Sequence, residues 1–373
     1  MRAMLLAAGV GERMRPLTDG RAKPSLPLLN RPIIAHTLAY LKSNGVDEVV
    51  INLHHHPESI RGIVGDGARL GVKVHYSEEL VILGTSGGLK KAEEAFRSRG
   101  TFILINGDFV IDCALGPVIE EHRRSGAQAT MILTPHRPGT AYGNVEISGG
   151  RVVSIGGPAS PTTPPPDGQA PASPAGGYTF TGIHLLEPSI FDRIPAGVKS
   201  DINRDIYPPW MKSGALIRGW VHQGRWFEMG TPRLYLEGNL ALLTAHDLPG
   251  LEAQRTGEGT FLDHVALPAG TNAAAPYMVG KGSTLGAQCS LQGGVVIGRQ
   301  CQIGSGCALR SSMLWDGARL GDRVQLTDCI VTSGVFVPPM TSLSGRILFR
   351  VEGYQGRKEN LERVGSSWAA RLV

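Results

Sequence analysis

The chain of 373 residues is long enough for two or three domains, and its 42% hydrophobic content is enough to bury a substantial core. The net charge of +5 is not gathered into long basic runs, which argues against a nucleic-acid binder. Five cysteines without a C-x-x-C spacing indicate neither a zinc site nor a secreted disulfide framework. No segment approaches the roughly 20 apolar residues of a membrane span, so we expect a cytoplasmic protein without membrane contacts.

Residues 1–135 alternate short β-rich segments with amphipathic helical segments. The predicted strands are Arg2–Ala7, Glu48–Leu53, Val72–Tyr76, Thr101–Asn106 and Gln128–Thr134. The predicted helices lie near Pro32–Ser43, Glu58–Gly65, Ser86–Arg97 and Leu115–Ser125. Because the strands are almost continuously apolar, this alternation predicts a Rossmann-like, doubly wound α/β sheet covered on both faces. Ligands of such sheets bind beyond the carboxyl ends of the strands.

Further strands and helices are predicted after residue 135, and the expected fold class of the whole domain is a Rossmann-like, doubly wound mixed sheet. A Gly149-Gly150 turn predicts a hairpin of Asn144–Ile147 and Arg151–Ile155. Residues 156–177 are rich in proline and predict a surface insert. The remaining predicted elements are a strand at Tyr178–Leu186, a helix near Asp201–Lys212, a strand near Leu216–Val221, and a helix that begins at Thr231-Pro232 and ends near Ala245.

The periodicity changes after a predicted linker at 246–258. Aliphatic or aromatic residues recur every six positions at Val279, Leu285, Leu291, Ile297, Ile303, Leu309 and Trp315, and glycine follows directly at 280, 286, 298 and 304. A hexapeptide repeat of this kind predicts a parallel β-helix, here assigned to 259–345 with a tail at 346–373. Since three hexapeptides make one coil, Cys289 and Cys307 should stack as reduced core residues.

The first predicted strand leads into a glycine-rich turn, Leu6-Ala7-Ala8-Gly9-Val10-Gly11, followed by Arg13. Backbone N–H groups in such a turn can approach a phosphate chain closely, and Lys23 adds a second cation. The third glycine of a dinucleotide-binding fingerprint is replaced by Met14, and a Walker G-K-[ST] is absent. An ordinary strand-to-helix turn with solvated cations remains the alternative.

Three further segments could contribute to a site. Asp108 follows an apolar strand and suits a hard cation. Gly84-Thr85-Ser86-Gly87-Gly88 is a second glycine-rich turn, which a flat base could approach, and Glu228 could supply a second carboxylate. Taken alone, each segment also suits an ordinary loop.

Together these segments resemble the sugar-1-phosphate nucleotidyltransferase family over about residues 1–245. The family motif L-x-A-G-x-G-x-R-x-x-P followed by K-P is matched by Leu6, Ala8, Gly9, Gly11, Arg13, Pro16, Lys23 and Pro24. The base-binding G-T-A-G turn resembles Gly84–Gly87, the G-D metal ligand corresponds to Asp108, and W-x-D-I-G-T-P corresponds to Trp226–Pro232. The predicted β-helix resembles the left-handed β-helix of the mannose-1-phosphate guanylyltransferase branch and of the glucose-1-phosphate adenylyl- or thymidylyltransferase branches.

The resemblance implies a role for each matched residue. Arg13, Lys23 and Asp108 would be catalytic, with Mg²⁺ held by Asp108 and Glu228. The nucleotide would be framed by Leu6, Ala8, Gly9, Gly11, Gly84, Thr85 and Gly88, and the sugar would contact Gly143 and Glu146. Two features depart from the family: Glu228 replaces an Asp, and the sugar-contacting E-K-P after the hairpin is absent.

The expected reaction joins an NTP to a sugar 1-phosphate, giving NDP-sugar and pyrophosphate, with GTP and mannose 1-phosphate as the first expectation. A UTP-dependent enzyme is the alternative, because G-E-R-M and the missing E-K-P resemble the muramic-acid-1-phosphate uridylyltransferase branch. A non-catalytic regulatory relative is a further alternative, and an acyltransferase function of the β-helix is the least favoured. The family resemblance implies a homo-oligomer.

Overall fold

The computed structural model describes residues 1–136, 144–157, 177–245, 260–262, 265–352, 354–356 and 361–373. The chain divides into two compact units. The first unit comprises Met1–Gly9 and Thr37–Trp226, and the second comprises Val10–His36 and Phe227–Val373. The predicted linker and most of the proline-rich insert lie outside the described residues.

The elements up to residue 245 are short and follow the predicted order. The strands are β1 (Arg2–Leu6), β2 (Pro27–Leu28), β3 (Arg31–Pro32), β4 (Glu48–Leu53), β5 (Lys73–Glu78), β6 (Phe102–Asn106), β7 (Phe109–Ile111), β8 (Ala129–Pro135), β9 (Asn144–Ser148), β10 (Arg151–Gly157), β11 (Tyr178–Leu186), β12 (Ile217–Val221) and β13 (Trp226–Glu228). The α-helices are α1 (Ile33–Ser43), α2 (Pro57–Val64), α3 (Gly84–Lys91), α4 (Leu115–Ser125), α5 (Tyr207–Lys212) and α6 (Pro232–Leu242). Short helical turns span Glu12–Met14, Lys23–Ser25, Ala68–Leu70, Glu93–Ala95, Pro188–Asp192 and Ile202–Ile206.

In the described part of the first unit, nine strands form one mixed sheet in the order β5-β4-β1-β6-β11-β8-β12-β10-β9. The first four of these strands are parallel, as the sequence predicts, while β11 is antiparallel to both of its neighbours β6 and β8. In the register, Leu6 of β1 lies opposite Asn52 of β4 and Asn106 of β6. The carboxyl ends of these three strands are therefore level.

The core of this unit explains why these segments form strands. Met4, Leu104, Met131 and Ile217 belong to one buried apolar cluster across the sheet. β-strands that are buried on both faces need almost continuous apolar sequence, which matches these segments. Asn52 and Asn106 interrupt the apolar pattern near the carboxyl ends of β4 and β6.

Several predicted bounds agree with the structure, and two helices differ. The helix expected near Asp201–Lys212 is divided into a turn at Ile202–Ile206 and α5 at Tyr207–Lys212. Glu48–Leu53, Tyr178–Leu186 and Leu115–Ser125 have the predicted bounds. The helix expected at Ser86–Arg97 begins earlier, at Gly84, and its α-helical part ends at Lys91. The hydroxyl of Ser86, in the first turn of this helix, donates to the hydroxyl oxygen of Ser200.

The second unit contains the repeats. Its further strands are β14 (Thr260–Leu262), β15 (Asn272–Ala273), β16 (Tyr277–Val279), β17 (Thr284–Leu285), β18 (Ser290–Ile297), β19 (Gln302–Ile303), β20 (Ala308–Leu314), β21 (Arg319–Leu320), β22 (Gln325–Thr327), β23 (Ile330–Val331), β24 (Phe336–Val337), β25 (Ser342–Ser344), β26 (Arg346–Phe349), β27 (Glu362–Val364) and β28 (Ser367–Arg371). All pairs from β14 to β26 are parallel. This confirms the predicted coils.

The number of residues between stacked positions is first the predicted 18 and then 17. Leu291 lies opposite Leu309, 18 positions on, and Leu309 lies opposite Leu326, 17 positions on. The repeat glycines are needed because the next coil passes too close for a side chain: a Cβ on Gly298 would lie 2.5 Å from the backbone nitrogen of Asp316. The predicted β-helix tail at 346–373 adds antiparallel pairing, since β28 pairs with β26 and β27.

All five cysteines are buried free thiols, which confirms the expectation for Cys289 and Cys307. Burial raises the pKa of the Cys307 thiol to about 11, so this thiol stays protonated at neutral pH. Within the described residues, no helix has the length and apolar content needed to cross a bilayer.

A cavity in the stacked core of the β-helix should strongly lower the stability of the protein. Leu309 is 1% exposed, so Leu309→Ala should lower the free energy of unfolding by about 2–5 kcal/mol. The neighbouring Arg310 points outward, and Arg310→Ala is the matched control. Thermal denaturation of both variants checks this, and equal melting temperatures would contradict the stacked core.

Candidate active site

In the first unit, the turn after β1 begins at the level edge of the sheet. Ala7 and Ala8 are buried, while Gly9 is exposed. A Cβ added to Gly9 would meet no atom within 4 Å. Packing within the protein therefore does not require glycine at this position, whereas close approach by a ligand would.

In the second unit, the same sequence motif continues into an ordered loop. Gly11 has φ +69°, and its carbonyl accepts a 2.9 Å hydrogen bond from the hydroxyl of Thr18. Arg13 lies exposed in the turn Glu12–Met14, and Lys23 begins a second turn. Lys23 is only 8% exposed, which is unusual for a lysine and indicates that its position is fixed.

Asp108 lies in the turn that follows β6 in the first unit and is half-buried. The turn is joined to the end of β1, because the Gly107 amide donates to the Leu6 carbonyl over 3.0 Å. Gly182, at an irregularity in β11, packs behind the turn with φ +104°. A Cβ at Gly182 would lie 2.5 Å from the ring of Phe109, so this glycine helps to set the position of the turn.

The second glycine-rich turn, at the start of α3, is hydrogen-bonded to the segment around Asp201, where the Ile202–Ile206 turn begins. The Thr85 hydroxyl donates to Asp201 Oδ2 over 3.1 Å and accepts from the Ile202 amide over 2.9 Å. A Cβ on Gly84 would lie 2.4 Å from the Ser200 carbonyl oxygen. The structure therefore gives Gly84 and Thr85 packing roles within the protein.

Gly88 also packs against protein. A Cβ there would lie 2.5 Å from Glu79 Oε1 and 2.9 Å from Asn52 Nδ2. Sequence reasoning missed both of these buried polar residues. A signal was available, because Asn52 interrupts an apolar strand near its end and Glu79 directly follows another strand.

A charged cluster that sequence reasoning also missed precedes β13. Asp112 Oδ1 accepts from His222 Nε2 and from the Arg225 amide, each over 2.8 Å. Asp112 Oδ2 accepts from Arg225 Nε over 2.9 Å. Burial opposes ionisation of Asp112, but the hydrogen bonds from Arg225 and His222 outweigh it and lower its pKa. The cluster fixes the turn that leads to Trp226, whose buried indole donates to the Thr181 carbonyl.

Glu228 ends β13 in the second unit and is half-buried. The helix after it begins as predicted, with the Thr231 hydroxyl accepting from the Leu234 amide and Pro232 in the first turn. Met229 beneath it is fully buried, and a Cβ on Gly238 of α6 would lie 2.8 Å from its methyl carbon. Glu228 therefore sits beside a well-anchored helix start.

The remaining predicted positions are less informative. Gly143 lies outside the described residues, and Glu146 is a half-buried residue of β9. The sequence also contains three consecutive histidines, His54-His55-His56, and the first makes a structural contact, with His54 Nδ1 lying 2.8 Å from the Glu79 carbonyl oxygen. Among the described residues, no group of three or more His, Cys, Asp or Glu side chains is placed to hold a metal.

Residues 2–245 match the family model described as Nucleotidyl transferase. The chain belongs to this nucleotidyltransferase family. Among its curated relatives, a UTP–glucose-1-phosphate uridylyltransferase of Synechocystis sp. is 30% identical, over 89% of this chain and 87% of that protein. A mannose-1-phosphate guanylyltransferase of Mycobacterium tuberculosis is 29% identical, over 85% and 80%.

The similarity to other family members extends through the repeats. Mannose-1-phosphate guanylyltransferase 1 of Arabidopsis thaliana is 29% identical, over 98% of this chain and 91% of that protein. The crystal structure of HddC from Yersinia pseudotuberculosis shares the fold, with a TM-score of 0.53, 21% identity, and coverage of 64% of this chain and 97% of that one. Both the nucleotidyltransferase fold and the family expected from the sequence are confirmed.

This family is generally dependent on a divalent metal. The donor chemistry of Asp108 and Glu228 fits such an ion, because carboxylate oxygens are the ligands that Mg²⁺ prefers in proteins. Asp108 lies in the turn between β6 and β7, Glu228 ends β13, and both residues are half-buried rather than fully solvated. Partial burial limits the solvent that competes with a bound cation.

Two glycines should respond differently to the same substitution. Gly9→Ala meets open space, so we expect an unchanged melting temperature and a raised KM for the nucleotide. Gly88→Ala collides with Glu79 and Asn52, so we expect a melting temperature lowered by several degrees. Thermal denaturation and nucleotide titration check both. Equal thermal effects of the two substitutions would contradict the packing described here.

The Asp112 cluster predicts a pH-dependent contribution to stability. Because the native pKa of Asp112 is lowered, its contribution is present above the unfolded pKa of about 3.9 and is lost as pH falls through the native value. The melting temperatures of the parent and of Asp112→Asn should therefore differ most near neutral pH and converge on acidification. The exposed Asp66→Asn is the control, and a difference in melting temperature that does not narrow as the pH falls below the unfolded pKa would contradict the assignment.

Proposed function

We propose that the chain transfers a nucleotidyl group from an NTP to a sugar 1-phosphate, giving an NDP-sugar and pyrophosphate. The observation that supports this most strongly is the level edge formed by β4, β1 and β6. The glycine-rich turn follows β1 and Asp108 follows β6 at this edge, where parallel α/β sheets bind ligands.

This reaction does not need a general base. The nucleophile is a phosphate oxygen of the sugar 1-phosphate, whose second pKa lies near 6, so it is already largely ionised at neutral pH. It attacks the α-phosphorus of the NTP, the new P–O bond forms, and the bond to pyrophosphate breaks. Two anions must meet, so stabilisation by cations is the main requirement.

We assign these roles to the residues that match the family motif. Arg13 binds the triphosphate and the leaving pyrophosphate, and Lys23 binds the sugar phosphate and the α-phosphate. Asp108 and Glu228 would hold Mg²⁺, which when bound neutralises phosphate charge. Leu6, Ala8, Gly9 and Gly11 frame the phosphates, while Gly84, Thr85 and Gly88 frame the base through the position of their turn. Gly143 and Glu146 are assigned to the sugar.

GTP with mannose 1-phosphate is the first proposed pair. The guanylyltransferase relative from Arabidopsis aligns over 98% of this chain, including the repeats. UTP is the alternative, supported by the uridylyltransferase relative from Synechocystis at 30% identity. We also propose a cytoplasmic homo-oligomer that binds neither nucleic acid nor membranes.

A pyrophosphate-release assay with four NTPs against a panel of sugar 1-phosphates tests this proposal. We expect turnover with GTP or UTP and one hexose 1-phosphate. Nucleotide binding without turnover of any pair would instead support a non-catalytic regulatory relative.

Asp108→Asn should lower kcat by several orders of magnitude and leave the fold intact, because the amide removes a negative charge that would hold the metal. Steady-state kinetics and a thermal melt check this. Asp192→Asn changes an exposed acid paired with Arg97 and should match the parent. Near-parental turnover in Asp108→Asn would contradict the metal assignment.

A further inference from the structure

A chain of buried hydrogen bonds crosses the carboxyl edge of the sheet in the first unit. The Ala7 amide, just after β1, donates to Asn52 Oδ1 over 2.7 Å. Asn52 Nδ2, on β4, donates to Glu79 Oε1 over 2.7 Å. Glu79 Oε2, just after β5, accepts from the Leu83 amide over 2.8 Å. This series of hydrogen bonds thus begins in the first glycine-rich turn and ends one residue before the second.

The donors and acceptors fix the direction of each link. The amide of Ala7 can only donate, so the carbonyl oxygen of Asn52 must face it. The side-chain NH₂ of Asn52 is then turned toward Glu79, whose carboxylate oxygens both accept. Asn52 is 2% exposed and Glu79 is 3% exposed, so no solvent replaces a lost partner.

The backbone N–H and C=O groups of Glu79 also have partners within the protein. The Glu79 amide donates to the Leu53 carbonyl over 2.7 Å, and the His54 ring lies 2.8 Å from the Glu79 carbonyl oxygen. Gly88 leaves the space that the Asn52–Glu79 contact occupies, since a Cβ there would overlap both side chains. A side chain at 88 and the Asn52–Glu79 contact exclude one another.

We propose that Asn52 and Glu79 are positioning residues that set the spacing between the two glycine-rich turns, and so the affinity for the nucleotide. This inference rests on the proposed function for its kinetic consequence. Neither side chain needs to touch the substrate, because each acts through the backbone of a turn.

An exchange of the two side-chain chemistries tests this. Asn52→Asp places two carboxylates against each other, and Glu79→Gln leaves one N–H donor of the network without an acceptor. The double variant N52D/E79Q moves the carboxylate to position 52 and the side-chain amide to position 79. The carboxylate can then accept from the Ala7 amide and from the new side-chain NH₂, while the side-chain carbonyl at position 79 can accept from the Leu83 amide. All three hydrogen bonds and the net charge are thereby restored.

The first readout is amide hydrogen exchange of the chain without ligand. We expect Asn52→Asp to speed exchange at Leu83, and Glu79→Gln to speed exchange at Ala7, although neither mutated residue contacts that amide in the parent. The double variant should return both rates toward the parent. Glu78→Gln is the matched control, because Glu78 is an exposed neighbour paired with Arg61. Single variants that leave the far amide unchanged would overturn the proposal.

The second readout separates positioning from a loss of folded protein. Each single variant should raise KM for the NTP about tenfold or more and leave KM for the sugar 1-phosphate unchanged, as loss of one charge-assisted hydrogen bond predicts. The double variant should recover most of the loss. Equal changes in both KM values, or no recovery in the double variant, would overturn the proposal. If the parent turns over no substrate pair, the proposed function fails, while hydrogen exchange still decides whether the two turns are coupled.

Discussion

The arrangement depends on one constraint, the register that ends β4, β1 and β6 at the same level. Each strand is apolar until its last residues and then meets polar or glycine-rich sequence. A one-residue slip would exchange the faces of a strand and move its end out of line. The buried core therefore fixes where the first glycine-rich turn, Asn52 and Asp108 lie along the edge.

Packing requires glycine at some positions along this edge and not at others. At Gly84 and Gly88, a side chain would collide with the protein itself, so glycine is a condition of folding. At Gly9, a side chain would enter open space, so packing within the protein does not require glycine there. Packing therefore requires glycine in the second glycine-rich turn but not at Gly9 in the first.

Much of the architecture could be predicted because it follows from periodicity. The six-residue spacing from Val279 to Trp315 indicated the coils and the stacking of Leu291 on Leu309. The site was harder to predict from the sequence, because the contacts that support it join residues far apart in the chain. Nothing near Asn52 indicates a partner at Glu79, and nothing near Asp112 indicates His222, until the strands are placed side by side. The antiparallel placement of β11 between β6 and β8 was hidden for the same reason.

The central claim is that the level edge of the sheet binds a nucleotide. Hydrogen exchange of the parent chain, with and without a non-hydrolysable GTP or UTP analogue, tests it most directly. The account predicts slower exchange on binding in residues 6–11, 83–88 and 106–109, and no change in the coil strands at 290–314. Protection confined to the coils, with none at the strand ends, would contradict it.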